Sequence, residues 1–233
     1  DSRIEKWKYS IFKKITKKSL PFFFRGKDII SITPQTAGSY DGGMVNLFKY
    51  LSTNNYNDFL IDIGANIGLI SCQTGSFFKE VHMFEPNPYA CHVLKVNSFI
   101  GLKKGNYHIH EVGLGARDEV INLHIPYDNW GGAFVVTPEN EYGLNLLSEK
   151  DGYGEFDIKN YELVPVQIAS AEMKLTEIFN KFNFKKFQNG IIKIDVEGMD
   201  GFLIEKILDV LPAEFSVIIL FENRNTKITK NDL

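Results

Sequence analysis

One short stretch constrains the fold of this chain more than any other part of its sequence. Residues 59–68 read Phe-Leu-Ile-Asp-Ile-Gly-Ala-Asn-Ile-Gly, so an apolar strand runs directly into a turn that contains Gly64 and Gly68. A second apolar run ends at Glu85, 23 residues after Asp62. A strand, a glycine-containing turn, a helix and a second strand ending in an acid are typical of a nucleoside-binding βαβ unit, where the acid accepts hydrogen bonds from a ribose diol. The stretch therefore predicts an α/β protein.

The rest of the chain alternates apolar strands with helical patterns, which indicates a mostly parallel sheet with helices on both faces. The predicted strands cover residues 28–33, 58–63, 80–85, 106–112, 119–125, 164–169, 190–196 and 215–221. The predicted helices after the N-terminal segment cover residues 44–55, 67–78, 88–101, 175–182 and 199–211. Residues 126–160 contain many glycines and polar residues, and we predict that they form a long functional loop.

The residues of the first turn argue against a dinucleotide. A carboxylate at Asp62, two residues before the first glycine, would repel a pyrophosphate. The spacing of Gly64, Asn66 and Gly68 also differs from the G-x-G-x-x-G of NAD sites. A cationic cofactor that carries an amino acid and a ribose, such as S-adenosylmethionine, matches these residues better. Two alternatives stay open here: an NAD-dependent oxidoreductase on a similar fold, and a tight turn that binds no ligand.

Residues 193–198 read Lys-Ile-Asp-Val-Glu-Gly and place two more acids at the end of a buried strand. Because the carboxyl ends of parallel strands meet at one edge, Asp62, Glu85, Asp195 and Glu197 are expected to lie together. We predict that Asp195 faces the amino-acid end of the cofactor and that Glu197 is the base for an acceptor hydroxyl. A divalent cation on Asp195 and Glu197 is the alternative. The sequence itself predicts no metal site, since its five histidines show no ligand spacing.

The N-terminal segment differs from the rest in its charge. Residues 1–27 carry nine Lys and Arg side chains against two acids, a charge of +7. Pro21 is expected to end a helix in this segment. Apolar residues recur there at helical spacing: Ile4, Trp7, Ile11, Phe12 and Ile15. The pattern favours a helix that docks its apolar stripe on the domain. The alternative is a helix that lies on an anionic membrane or binds an acidic partner.

Composition limits the classes of partner and compartment. The net charge of −3 gives no overall attraction to nucleic acid, and we predict no nucleic-acid partner. No apolar run is long enough to span a bilayer, and no signal-peptide pattern begins the chain. Cys72 and Cys91 are predicted to be buried free thiols in helices, which is typical of a reducing compartment. We expect a cytoplasmic protein, with any peripheral membrane or partner contact made through residues 1–27.

Five motifs together resemble the FkbM family of methyltransferases: residues 62–68, 84–88, 112–118, 193–198 and 220–223. The resemblance covers residues 38–223 and implies a class I methyltransferase (Rossmann-like) fold with S-adenosylmethionine as methyl donor. It also implies a hydroxyl acceptor on a sugar, a glycan or a small natural product. By matching motif positions, the cofactor would be bound by Asp62, Gly64, Asn66, Gly68, Glu85, Pro86, Asn87, Gly113, Leu114 and Asp195.

The chain departs from the family pattern in two places. Met199 and Asp200 stand where the family commonly has a small or aromatic residue followed by Glu. The chain also stops at Leu233, so we expect the antiparallel strand pair that normally closes this fold to be missing.

We interpret the chain as an S-adenosylmethionine-dependent O-methyltransferase, with a basic amphipathic segment at residues 1–37 and a methyltransferase domain at 38–233. The 126–160 loop would cover the acceptor and exclude water. An aromatic face with hydrogen-bonding groups suits a sugar ring, and the loop offers these at Tyr127, Asp128, Asn129 and Trp130. Besides the oxidoreductase, the remaining alternative is a non-catalytic module that binds a partner through residues 1–27.

Overall fold

The computed structural model describes residues 2–26, 28–102, 105–182 and 188–222. The strands are β1 (Phe59–Ile63), β2 (Glu80–Phe84), β3 (Tyr107–His110), β4 (Gly113–Gly115), β5 (Glu119–Pro126), β6 (Phe134–Val135), β7 (Tyr161–Ser170), β8 (Asn189–Ile194) and β9 (Ser216–Phe221). The helices are α1 (Ser2–Ile15), α2 (Ile32–Ala37), α3 (Gly42–Thr53), α4 (Leu69–Thr74), α5 (Pro88–Gly101), α6 (Leu144–Lys150), α7 (Ala171–Lys181) and α8 (Asp200–Val210).

A five-stranded parallel sheet in the order β3-β2-β1-β8-β9 forms the centre of the fold. All five residues of β1 are buried, because helices cover both faces of the sheet. One face packs on α3, α4 and α5 through side chains such as Phe48, Ile70 and Leu94. The other packs on α7 and α8 through Leu175 and Leu203. The predicted mostly parallel sheet with helices on both faces is confirmed.

The order of the strands reverses at β1. Strands β2 and β3 lie on one side of it, and β8 and β9 lie on the other. Connections from the two sides diverge at this point and open a crevice at the carboxyl ends of the strands. Local sequence fixes the helices that follow: the Asn87 side chain accepts hydrogen bonds from the N–H groups of Tyr89 and Ala90 at 3.0 and 3.4 Å, with Pro88 in the first turn of α5.

A second sheet, in the order β4-β7-β5-β6, forms a further wall of this crevice. Strand β5 is antiparallel to β6 and β7, whereas β4 is parallel to β7. Alternating apolar residues of β5 and β7 make a small core of their own: Leu123, Ile125, Val166 and Ile168.

Two predictions about local structure are wrong. Residues 28–33 are not a strand: Ile29–Ser31 is a 3-10 helix that leads into α2, and the Asp28 carboxylate turns the chain by accepting from the N–H of Ile30 at 3.2 Å. Residues 126–160 are not one long loop, since they contain α6, β6 and two 3-10 helices. Phe134 and Leu147 are buried there and organise this segment. The predicted loss of a closing strand pair concerns residues 223–233, which lie outside the described residues.

The predicted N-terminal helix forms, but its predicted docking on the domain is wrong. No residue of α1 is buried, and the exposed fractions of its apolar side chains range from 37% for Ile11 to 67% for Tyr9. The helix ends at Ile15 and is followed by a 3-10 turn, before Pro21 is reached. Among the described residues, no helix combines the length and apolar character needed to cross a bilayer. The two cysteines are buried free thiols, as predicted.

Candidate active site

A cavity of about 400 Å³ opens in the crevice at the carboxyl ends of the large sheet. It is bounded by the ends of β1, β2 and β8, by the second sheet and by the 126–160 segment. Of the predicted site residues, ten line it: Gly64, Asn66, Glu85, Pro86, Gly113, Leu114, Asn129, Trp130, Asp195 and Glu197. The sheet therefore brings three of the four predicted acids to one cavity.

The turn after β1 is held against the ends of both neighbouring strands. The N–H groups of Gly64 and Ala65 donate to the carbonyl oxygen of Phe84 at 3.0 and 2.9 Å. Gly64 has a φ of +83°, and a Cβ at this position would overlap the carbonyl oxygen of Asp195. Asn66 has a φ of +50°, and its Oδ1 is buried with no hydrogen-bond partner among the described residues. The turn thus carries an unused acceptor on a residue that lines the cavity.

Glu85 is anchored by two backbone groups at the end of β2. Its Oε2 accepts from the N–H of Asn66 at 2.7 Å, and its Oε1 accepts from the N–H of Asn87 at 2.8 Å. Burial raises the pKa of Glu85 to about 7, although both of these hydrogen bonds lower it. Each carboxylate oxygen has two acceptor sites. Glu85 can therefore still receive two hydroxyl groups.

Asp62 lies beneath the cavity and is paired with a lysine, Lys193, that was not among the predicted site residues. Lys193 stands opposite Asp62 in the register of β1 and β8, and its Nζ is 3.1 Å from Asp62 Oδ1 and 3.2 Å from Asp195 Oδ2. The other Asp62 oxygen accepts from Ser71 Oγ at 2.6 Å. Burial lowers the pKa of Lys193, but the charges of Asp195 and Asp62 outweigh it and leave this pKa raised. Asp62 lines only a smaller neighbouring cavity, so its contact with a cofactor stays a prediction.

Two predicted cofactor residues have local structural roles outside the main cavity. Gly68 precedes α4 with a φ of +82°, and a Cβ there would lie 2.6 Å from Leu94. Asn87 is fully buried and caps α5. Neither residue lines the main cavity. Their positions in the motif are explained by packing and capping, and their direct contact with the cofactor also stays a prediction.

The side of the cavity beyond β2 is apolar. Gly113 and Leu114 of β4 line it together with Val112 and with Ile168 of β7. A Cβ at Gly113 would lie 2.6 Å from Ile168, so glycine is what lets β7 approach β4 this closely. A flat apolar ring is the chemical group that such a slot accommodates.

The side beyond β8 is charged and holds the predicted base. Glu197 forms a short ion pair with Lys150 of α6, and Lys150 Nζ is also 3.6 Å from Glu222 Oε2. Burial raises the pKa of Glu197, Lys150 opposes this, and the net pKa is raised. Burial and then the charge of Asp195 raise the pKa of Asp200, the residue that departs from the family pattern, to about 7. A carboxylate with a raised pKa in such a site is suited to accept a proton.

The predicted acceptor residues divide into two pairs. Asn129 and Trp130 line the cavity, whereas Tyr127 and Asp128 do not. Asn129 donates to Asp151 Oδ1 at 3.0 Å, and the Trp130 ring contacts Tyr89 and Arg25 at centroid distances of 5.8 and 4.6 Å. The acceptor role of all four residues stays a prediction.

Three histidines form a cluster away from the cavity. His82 Nε2 and His108 Nε2 lie 3.0 and 3.2 Å from Glu80 Oε1, and His82 Nδ1 lies 3.0 Å from His110 Nε2. Neutral imidazole rings can make all of these hydrogen bonds: His110 donates to His82, and His82 and His108 donate to Glu80. Burial, and after it the charges of His108, Lys181 and Lys174, lower the pKa of His82 to about 3. Neutral rings joined by hydrogen bonds therefore account for the contacts within the cluster.

Sequence comparison assigns the chain to a family. The family of the methyltransferase FkbM domain matches residues 62–227, which is well over half of the chain. The chain belongs to the FkbM methyltransferase family. This membership confirms the predicted methyltransferase and its methyl donor, S-adenosylmethionine, and it does not support the NAD-dependent oxidoreductase. No curated protein matches the chain.

Solved structures share only the general architecture with this FkbM methyltransferase. A precorrin-8w decarboxylase from Methanobacterium thermoautotrophicum is 13% identical, with 76% of this chain and 61% of that chain covered and a TM-score of 0.40. The tRNA m1G37 methyltransferase of M. jannaschii is 22% identical, with 41% and 26% covered and a TM-score of 0.27. TYW2 of M. jannaschii, in complex with AdoMet, is 19% identical, with 55% and 75% covered and a TM-score of 0.25. No activity of this chain follows from such distant likenesses.

The cavity of the FkbM methyltransferase fits S-adenosylmethionine. Glu85 offers two acceptor sites for the two hydroxyl groups of the ribose. The apolar slot around Gly113 and Leu114 suits the adenine ring. The unpaired Oδ1 of Asn66 is an acceptor for a ligand N–H or O–H. Asp195 lines both cavities, and its contact with the amino-acid end of the cofactor stays a prediction.

Several residues of the site were missed at the level of sequence. Lys193 sat inside a recognised motif, and aligning β1 with β8 as parallel neighbours would have placed it beside Asp62. Glu222 also lies in a recognised motif, residues 220–223, but was given no role. Lys150 had no such signal, because a lysine on a short helix in a glycine-rich segment is typical of a surface residue. Ile30 and Tyr40 line the cavity from the segment before α3.

The raised pKa of Glu85 predicts a pH-dependent affinity for the cofactor. Only the ionised carboxylate can accept two diol hydrogen bonds, so binding should weaken as pH falls through about 7, by about tenfold between pH 8 and pH 6. Calorimetry with S-adenosylmethionine at both values measures this. The pKa values of Asp151 and Asp200 are raised to about 6 and about 7, so these acids titrate in the same range. The Glu85→Gln variant should bind S-adenosylmethionine more weakly, with an affinity that does not change with pH. If its affinity depends on pH as in the wild type, Glu85 is not the group that titrates.

Proposed function

We propose that this FkbM methyltransferase transfers the methyl group of S-adenosylmethionine to a hydroxyl oxygen of a sugar, a glycan or a small natural product. One observation carries the proposal: a largely buried carboxylate, Glu197, with a raised pKa lines the cavity beside Asp195 and on the side opposite Glu85. An unactivated hydroxyl needs a group that takes its proton as it attacks, and we infer that Glu197 is this group.

The chain's residues bind and align the reactants in this scheme. S-adenosylmethionine, when bound, supplies a methyl group attached to a sulfonium, and the sulfur is a good leaving group because it departs as a neutral thioether. The acceptor oxygen forms its bond to the methyl carbon as the carbon–sulfur bond breaks, and the hydroxyl proton passes to Glu197. Lys150 holds the Glu197 carboxylate in place through their ion pair. Much of the rate enhancement then comes from holding both reactants in line in one cavity.

The charges around the acceptor side favour a neutral acceptor. Among the described residues, five acids lie on or near this wall: Asp151, Asp195, Glu197, Asp200 and Glu222. They outnumber the two lysines that pair with them, Lys150 and Lys193. Such a surplus repels phosphate groups. This supports an uncharged polyol and agrees with the prediction of no nucleic-acid partner.

The test is a methyl-transfer assay with an isotope-labelled methyl donor and a panel of glycans and hydroxylated natural products. A labelled product whose methyl group is mapped to oxygen by mass spectrometry would support the proposal. Transfer only to nitrogen, carbon or nucleic acid would overturn the acceptor class. Cofactor binding without transfer to any acceptor would instead favour the non-catalytic alternative.

The ion pair with Lys150 predicts how the pH profile should move in a variant. Lys150 lowers the pKa of Glu197 against the effect of burial. Lys150→Met should therefore raise that pKa, and the acidic limb of the kcat/KM profile should shift to higher pH, because the base must be ionised to act. Lys49→Met, at an exposed position on α3, is the matched control. An acidic limb that stays in place in the Lys150 variant would contradict Glu197 as the base.

A further inference from the structure

Helix α1 has no buried residue although one side of it carries an apolar stripe. At about 100° per residue, Ile4, Ile11 and Ile15 fall on one line along the helix, with Trp7 and Phe12 on either side of it. All five are at least 37% exposed, and four are more than half exposed. The rest of the helix surface is polar and mostly basic, with one acid and one tyrosine: Ser2, Arg3, Glu5, Lys6, Lys8, Tyr9, Ser10, Lys13 and Lys14.

The chain after α1 is fixed to the wall of the cavity. Phe22 and Phe24 pack with Ile67 and Leu69. Asn97 holds the same stretch by accepting from the N–H of Phe23 at 2.7 Å and donating to its carbonyl at 3.1 Å. Arg25 follows Ile15 by ten positions, and its guanidinium lies over the Trp130 ring at the cavity. The end of α1 is therefore at most roughly 35 Å from that wall.

We propose that α1 is the contact of this protein with an anionic lipid surface. The helix would lie in the plane of the interface, with its isoleucines, Trp7 and Phe12 in the apolar boundary and its lysines at the headgroups. Charge supports a membrane as the occupant. Residues 1–27 carry a net charge of +7 while the whole chain carries −3, so the rest of the chain carries a net charge of −10. Each Lys or Arg near an anionic surface adds to binding.

The helix faces supply two independent ways to remove this contact. Trp7→Ala with Phe12→Ala deletes apolar contact, and Lys6→Glu with Lys13→Glu and Lys14→Glu reverses the charge. Because no residue of α1 is buried, neither set should disturb the fold. Matched controls are Phe99→Ala, at a side chain that is 80% exposed on α5, and Lys49→Glu on α3.

The experiment is co-sedimentation of the full chain with vesicles of phosphatidylcholine and phosphatidylserine in equal parts, and with vesicles of phosphatidylcholine alone. We expect binding to the anionic vesicles only, weakened by salt, and reduced by about a hundred-fold in the charge-reversed variant. The apolar variant should also lose binding, and both controls should bind like the wild type. Calorimetry with S-adenosylmethionine shows that every variant is folded.

Two outcomes would overturn the proposal. One is a folded wild-type protein that does not sediment with anionic vesicles. The other is a dimer in solution that becomes monomeric in the Trp7 and Phe12 variant, because a second copy would then cover the stripe. Neither outcome bears on methyl transfer, which is tested separately.

Discussion

Replacing Glu197 with glutamine should lower turnover by about 10²–10⁴-fold, the usual contribution of a positioned base, while the affinity for S-adenosylmethionine stays near the wild-type value. Glutamine keeps the shape of the side chain and an oxygen that can still accept from Lys150. It cannot take a proton. Single-turnover methyl transfer, with the donor pre-bound and its affinity measured by calorimetry, separates the chemical step from binding.

Two companion variants make this result specific. Asp195→Asn should weaken cofactor binding as well as turnover, since Asp195 lines both cavities and pairs with Lys193. Glu149→Gln, at an exposed position next to Lys150 that does not line the cavity, should behave like the wild type. Wild-type turnover in Glu197→Gln would show that alignment of the reactants is sufficient. Loss of wild-type activity with a chelator, and its return with a divalent ion, would instead favour Asp195 and Glu197 as metal ligands.

The sequence was sufficient for the parts of the site that lie at strand ends. Residues such as Gly64, Glu85 and Asp195 follow apolar strands directly, and parallel pairing alone brings those ends to one edge of a sheet. Periodicity predicts the strands, and the reversal of strand order then places the cavity. The site at Glu85 could be expected from the sequence. The structure adds the two hydrogen bonds that orient its carboxylate, from the N–H groups of Asn66 and Asn87.

The parts that could not be predicted depend on tertiary packing. Lys150 reaches the site because Leu147, one turn earlier on α6, is buried against Phe134 and Tyr161. Nothing local to the sequence indicates that contact. The exposure of α1 is a similar case, because an amphipathic pattern fixes a helix and its apolar face but does not say what covers that face. Asp62 is the opposite case: its position was predictable, but its charge partner Lys193 comes from a strand 131 residues away.

The second large effect concerns that buried pair. Lys193→Met should lower the free energy of unfolding by about 3–5 kcal/mol, the usual cost of removing one partner from a buried ion pair. The side chains of Lys193 and Asp62 are 7% and 1% exposed, so the variant leaves a buried carboxylate with Ser71 as its remaining donor among the described residues. Urea denaturation followed by circular dichroism measures the change.

Charge can be separated from packing by a second substitution. Asp62→Asn in the Lys193→Met background removes the unpaired charge while keeping an oxygen for the Ser71 hydroxyl, so most of the lost stability should return. Lys95→Met is the matched control, because the Lys95–Glu111 pair is 47% and 52% exposed and should be worth less than about 1 kcal/mol. If Lys193→Met costs no more than Lys95→Met, the pair does not support the end of β1. If the double variant stays as unstable as the single one, the stability was lost because the packing of the Lys193 side chain was lost, and not because a charge was left unpaired.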